Sequence, residues 1–221
     1  MERPERRPRR RTAASEETRT RILEAARELA VSEGFSGFTV EKVAERAGVS
    51  RMTVYYQFGS RADLLERLFD HLARRGRIER LGDAFRDPDP LSGLDRFIEV
   101  FCGFWASDLE SILRLRSWAA LESGYRQTGY GRDSWQREGL VTLVGRIRER
   151  YGVPAEAEVE DVVDVLHVLL GPESYEKLTR TGRGEAEVAA LIQRTARAVL
   201  GIGDREPPAR GDPESTGRAD R

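Results

Sequence analysis

Apolar residues recur at three- and four-residue steps along most of the chain, which predicts an all-α protein of about nine helices. Over Ser15 to Glu33, the residues Ile22, Leu23, Ala26, Leu29 and Ala30 share a helical face, and Gly34 ends the run as a C-cap would. Thr39 opens a short helix as its N-cap, with Val40, Val43 and Ala44 on one face. Gly48 offers positive-φ backbone without steric cost, which a sharp helix-to-helix turn needs. Ser50 caps the next helix, where Val54 and Phe58 lie four residues apart and pack inward. Ser60 to Asp63 is a capping-box variant ahead of Leu64, Leu65, Leu68, Phe69 and Leu72.

Asp87-Pro88-Asp89-Pro90 breaks the pattern, after which Leu91, Leu94, Phe97, Ile98, Phe101, Phe104 and Trp105 mark a strongly amphipathic helix. Leu109 to Leu121 repeats the signal, and a polar, Gly-rich stretch from Ser123 to Asp133 reads as a connection. Trp135 to Tyr151, Val159 to Leu170 and Glu185 to Leu200 are helical again. Gly171-Pro172 kinks or restarts the second of these before Tyr175. Residues 203–221 hold three Pro, three Gly and no Ile, Leu, Val or Phe, so they are expected to be disordered.

Thr39 to Phe58 therefore reads as a helix-turn-helix. An ordinary αα-hairpin has the same Ala-to-Gly spacing, and charge favours the former. No Asp or Glu occurs from Arg46 to Ala62, whereas Arg46, Arg51 and Arg61 do, as suits a surface meant for a polyanion. The formal net charge of −1 hides a split: residues 1–60 carry net +3 and residues 61–221 net −4. Six arginines among residues 1–14, interrupted by Pro4 and Pro8, are expected to form a disordered basic arm that can reach DNA.

The run AGVSRMTVYYQFGSRADLLERLF, Ala47 to Phe69, resembles the DNA-binding segment of the TetR (tetracycline-repressor-like) family of transcriptional regulators. The similarity extends from about Thr18 to Phe69. Met52 departs from the small residue common at that position, and Gln57 from the His or Tyr common there. The resemblance implies a three-helix DNA-binding domain over 15–60, a connecting helix over 61–77, and an effector-binding and dimerisation domain over 78–201, with a tail from 202. The reading face would comprise Arg51, Met52 and Thr53 toward base edges and Thr39, Tyr56, Gln57, Ser60 and Arg61 toward phosphates. Ser50 caps the helix, and Tyr55 and Phe58 buttress it. A homodimer would present this face twice, about 34–36 Å apart, to a palindromic operator.

Composition narrows the rest. No window approaches a membrane span of about 18 apolar residues. The Arg-rich start lacks an apolar h-region, so a cytoplasmic, nucleoid-associated protein is expected. The single cysteine, Cys102, excludes an intrachain disulfide, and with His71 and His167 as the only histidines neither a metal site nor a cofactor is expected. No Gly-rich phosphate loop, His-Glu metal motif or Ser-His-Asp arrangement stands out, which argues against an enzyme. Aromatic residues concentrate after residue 90. Phe101, Trp105, Trp118, Trp135 and His167 are candidates for lining a cavity that takes a small hydrophobic effector, although core packing explains each of them as well. The resemblance implies dimerisation through the last two helices. Tyr175, Val188, Leu191, Ile192 and Val199 are the interface candidates, and Ala189, Ala190 and Ala196 suit close helix pairing. A repressor released by its ligand is the leading reading, and a DNA-binding or architectural protein without an effector is the alternative.

Overall fold

The computed structural model describes residues 8–119 and 123–202, with the backbone alone at 8–13, 119 and 123–133. Among the described residues there are eleven α-helices and no strand. They run α1 Pro8–Gly37, α2 Val40–Ala47, α3 Arg51–Phe58, α4 Arg61–Arg75, α5 Leu81–Arg86, α6 Pro90–Ser107, α7 Leu109–Ala119, α8 Ser123–Tyr151, α9 Val159–Leu169, α10 Pro172–Thr179 and α11 Glu185–Val199. The expected nine become eleven for two reasons. A six-residue helix, α5, is too short to show a period, and of the kink or restart expected at Gly171-Pro172 it is the restart that occurs, which makes α10 a helix of its own. The Gly-rich stretch expected to be a connection is helical backbone within α8. The first helix begins at Pro8, inside the segment expected to be a free arm, while residues 1–7 and the tail from 203 lie outside the described residues.

The chain divides into two compact units. One comprises Met1–Glu79 with Phe104–Asp133, the other Arg80–Gly103 with Ser134–Arg221. The first unit therefore takes in α7, which the sequence assigned to the effector domain. Its core is Ile22, Leu23, Ala26, Leu29 and Ala30 of α1, Val40, Val43 and Ala44 of α2, Val54 and Phe58 of α3, Leu64, Leu65, Leu68 and Leu72 of α4, and Ile112, Leu115 and Trp118 of α7, all buried. Gly34, at φ 70, interrupts α1, and Phe38 beyond it is 1% exposed against Trp118. A charged network ties three helices of this unit together. Glu24 of α1 accepts from His71 and Arg75 of α4, each at 2.7 Å. Arg27 reaches Glu24 at 2.9 Å and Asp108, just before α7, at 3.0 Å.

The second unit packs Leu94, Phe97, Ile98 and Phe101 of α6 with Leu140, Leu143, Val144 and Ile147 of α8, all buried, as are Val162, Val163 and Leu166 of α9 and Val188, Ile192 and Ala196 of α11. A Cβ on Gly139 would stand 2.8 Å from the Phe97 ring, so α8 can lie against that ring only with glycine there. Arg146 donates to the carbonyls of Phe85 and Asp87, satisfying groups that the end of α5 leaves without helical partners. No helix among the described residues is long and apolar enough to cross a membrane.

Candidate nucleic-acid interface

Three side-chain caps set the geometry of the first unit's helix-turn-helix. Thr39 accepts from the Lys42 amide at 3.2 Å to start α2, and Ser50 accepts from the Thr53 amide at 3.1 Å to start α3. Ser60 accepts from the Asp63 amide at 3.0 Å to start α4. Between α2 and α3, Gly48 takes the left-handed conformation, φ 64 and ψ 37, and its N–H satisfies the carbonyls of Ala44 and Glu45. A residue with a Cβ would be strained there, and the turn fixes the angle at which α3 leaves α2.

Helix α3 then has two unlike faces. Val54 and Phe58 are 1% and 7% exposed, anchored in the core, whereas Met52 and Tyr56, one turn apart, are 73% and 87% exposed. A thioether and a phenol standing in water without a core role are what a contact surface needs. Arg51 lies at the N-terminal edge of this face. Its Nε is 2.9 Å from Glu41 Oε1 on α2, its Nη2 donates to the Tyr55 hydroxyl at 3.3 Å, and its guanidinium carbon stands 5.2 Å from the Tyr55 ring centre. The Tyr55 hydrogen bond and the Glu41 charge both raise the guanidinium pKa above its ordinary value, so Arg51 is a fixed cation. The Thr53 hydroxyl lies 2.8 Å from that of Ser50.

Several sequence-predicted contacts take other partners. Arg61, expected on phosphate, donates from Nε to the Phe38 carbonyl at 3.2 Å and from Nη2 to the Phe35 carbonyl at 3.3 Å. It also stacks over both rings, 4.6 Å from Phe35 and 5.7 Å from Phe38. The N-terminal end of α4 points Arg61 back at the α1–α2 joint, whose carbonyls lack helical partners, so it is a brace for the motif. Gln57 donates to the Ser15 hydroxyl at 3.1 Å, and Arg19 binds the Gln57 carbonyl while lying 4.8 Å from the Phe58 ring. Helix α1 thus holds the far end of α3. Ser60 also donates to the Asp63 carboxylate at 2.6 Å. Sequence reasoning missed Glu41, Ser15 and Arg19. Glu41 precedes Arg51 by ten residues, and only the fold of the turn brings them together.

The effector candidates fall in both units. Trp118 packs on Phe35 at 5.6 Å and Phe38 at 5.3 Å, and Trp105 on Phe104 at 4.6 Å, all in the first unit. In the second, Phe101 packs on Phe97 at 4.9 Å, His167 is half-buried on α9, and Trp135 is 49% exposed. A cleft of about 420 Å³ in the second unit is lined instead by Val153, Pro154, Val162, Val165, Val199 and Leu200, with Glu158 and Asp161. Of the dimer candidates, Tyr175, Val188 and Ile192 are buried inside the protomer, and Leu191 and Val199 keep partial exposure. The apolar surface not foreseen is Val165 and Val168 of α9, 43% and 69% exposed. Cys102 is buried; its thiol is pushed up to about 12 by burial and then by the Glu185 and Glu99 charges, which makes it unreactive.

The family model described as "Bacterial regulatory proteins, tetR family" matches residues 22–68, the span from the middle of α1 into α4. The chain is 45% identical over 58 residues to the HTH-type transcriptional regulator SrpR of Pseudomonas putida, covering 26% of this chain and 27% of that one. It is 32% identical over 89 residues to the HTH-type transcriptional regulator TtgR of Pseudomonas putida, covering 39% and 42%. These matches span less than half the length of either relative. Among solved structures, NalD, the secondary repressor of the MexAB-OprM multidrug efflux pump in Pseudomonas aeruginosa, superposes with a TM-score of 0.68. That superposition covers 87% of this chain and all of NalD, and at 21% identity it is a likeness of fold.

Proposed function

We propose that the chain is a regulator of the TetR family, as the match over residues 22–68 supports, and that it binds operator DNA through α3 as a homodimer and acts as a repressor. One observation carries the reading: Met52 and Tyr56 are the most exposed large apolar side chains of the described residues, and both stand on the helix that two caps and Gly48 fix in place. A recognition helix enters the major groove with such a face, Met52 against a thymine methyl and Tyr56 against the phosphate backbone. Arg51 supplies the charged contact. Selection of bound sequences from a random duplex pool tests this. Enrichment of a palindrome supports it, and recovery of unenriched sequence overturns it.

The second copy is expected to pair along α9 and α11. Val165 and Val199 line one cleft, Val168 lies one turn further along α9, and Leu191 keeps partial exposure on α11. Pairing there removes apolar side chains from water without disturbing the core residues Val188 and Ile192. A small hydrophobic effector in the second unit releases the operator to the extent that it binds one spacing of the two recognition helices better than the other. NalD, similar in fold, is named the secondary repressor of a multidrug efflux pump. Tryptophan fluorescence against a panel of hydrophobic compounds checks the effector: a quench accompanied by operator release supports it, and operator affinity unchanged by every compound that quenches counts against it.

A further inference from the structure

The acid facing the reading helix is the feature that a DNA-binding surface does not need for affinity. Glu41 stands in the first turn of α2 and is exposed, as is Arg51. A carboxylate beside a polyanion weakens binding to every sequence, so its contact with Arg51 must contribute elsewhere. The geometry shows where. Arginine has five N–H groups in a planar fork. Glu41 Oε1 forms an ion pair with Nε at 2.9 Å, and the Tyr55 hydroxyl takes one Nη2 hydrogen at 3.3 Å while its ring lies beside the guanidinium. Held on two sides, the fork is biased toward one orientation, and both N–H groups of Nη1 and one of Nη2 stay available for an acceptor pair. The O6 and N7 atoms of guanine in the major groove are such a pair. A loose arginine at the first position of a helix would instead follow the nearest phosphate.

We propose that Glu41, assisted by the Tyr55 hydroxyl, is a positioning residue that restrains Arg51 to read a guanine and keeps it off the phosphate backbone. The arrangement trades general affinity for discrimination at one base pair. The inference rests on the proposed function, since it presupposes that α3 binds DNA with sequence preference.

The test uses the full-length protein and the operator recovered by selection. Arg51→Ala first identifies the base pair whose discrimination depends on Arg51. Glu41→Gln and Tyr55→Phe are then measured on the operator, on its variants at that pair, and on random duplex. Glu41→Gln is expected to reduce discrimination at that pair by about five-fold or more, the low end for a bidentate contact. Affinity for random duplex should be unchanged or higher. Tyr55→Phe, which keeps the ring, should lose part of the same discrimination, and in the Arg51→Ala background Glu41→Gln should change none of it. Equal weakening on all duplexes, or unchanged discrimination at the Arg51 pair, overturns the inference while leaving operator binding intact. If the wild-type protein selects no sequence, it is the proposed function that fails.

Discussion

Arg61 offers the clearest separation between a bracing and a DNA-contacting role. Its guanidinium satisfies the carbonyls of Phe35 and Phe38 and stacks on both rings, and Phe38 is almost wholly buried. A hydrogen bond from a charged donor is worth about 1.5–3 kcal/mol, and a partly exposed cation–π contact about 0.5–1 kcal/mol. With bonds at 3.2 and 3.3 Å and a side chain that keeps some solvent, both bonds belong at or below the low end. Arg61→Ala is therefore expected to destabilise by about 2–4 kcal/mol. Urea unfolding followed by circular dichroism measures this, and operator binding below the transition measures the salt slope. Arg61→Lys should be nearly as unstable, because an ammonium keeps the charge and loses the planar fork that spans both carbonyls. The slope of log affinity against log salt should match the wild type in both variants. Wild-type stability for Arg61→Ala, together with a slope reduced by about one, would refute the bracing role and return Arg61 to the phosphate class.

Three further outcomes follow from other parts of the molecule. Trp118→Ala should cost about 3–5 kcal/mol, because the ring fills the space between Phe35 and Phe38 in the first unit; urea unfolding checks it, and a variant as stable as wild type would deny that packing role. Val165→Asp combined with Val168→Asp should convert a dimer to a monomer with unchanged helicity, read by sedimentation and circular dichroism; a variant that remains dimeric places the interface elsewhere. For Glu24, burial pushes the carboxyl pKa up, but hydrogen bonds from His71 and Arg27 and the charge of Arg75 outweigh it, and the net shift is downward from 4.5. A carboxyl depressed in the folded state contributes stability that is complete above its unfolded pKa and is lost as pH falls through the folded value. Acidification below about pH 4.5 should therefore destabilise the wild type more than Glu24→Gln, and parallel urea midpoints for the two would contradict this.

The helix-turn-helix was legible because each of its determinants is local. Thr39, Ser50 and Ser60 cap within three residues, Gly48 provides the turn conformation itself, and Val54 and Phe58 anchor α3 at one-turn spacing. Contacts closed by tertiary structure were not. Arg61 has the same composition signal whether it faces a phosphate or the Phe35 and Phe38 carbonyls, and only the placement of α4 decides between them. Glu41 escaped notice for the same reason, as it lies outside the acid-free stretch that begins after Glu45. In the second unit, a valine-rich helix such as α9 has more apolar positions than its buried face can use. Periodicity alone does not tell the core positions Val162, Val163 and Leu166 from the outward Val165 and Val168, and the interface candidates Val188 and Ile192, which came from the family resemblance, are buried within the protomer.

The most direct measurement is a fluorescence anisotropy titration of the selected operator with the wild type and with Tyr56→Asp, at several salt concentrations. Tyr56 is 87% exposed and takes no part in the core, so the substitution should leave stability unchanged and place a carboxylate against the phosphates. The expected result is a steep loss of wild-type affinity with salt and a Tyr56→Asp affinity no better than that for random duplex. A salt-independent wild type, or a Tyr56→Asp variant that binds the operator as tightly as wild type, would contradict the assignment of α3 as the DNA-reading helix.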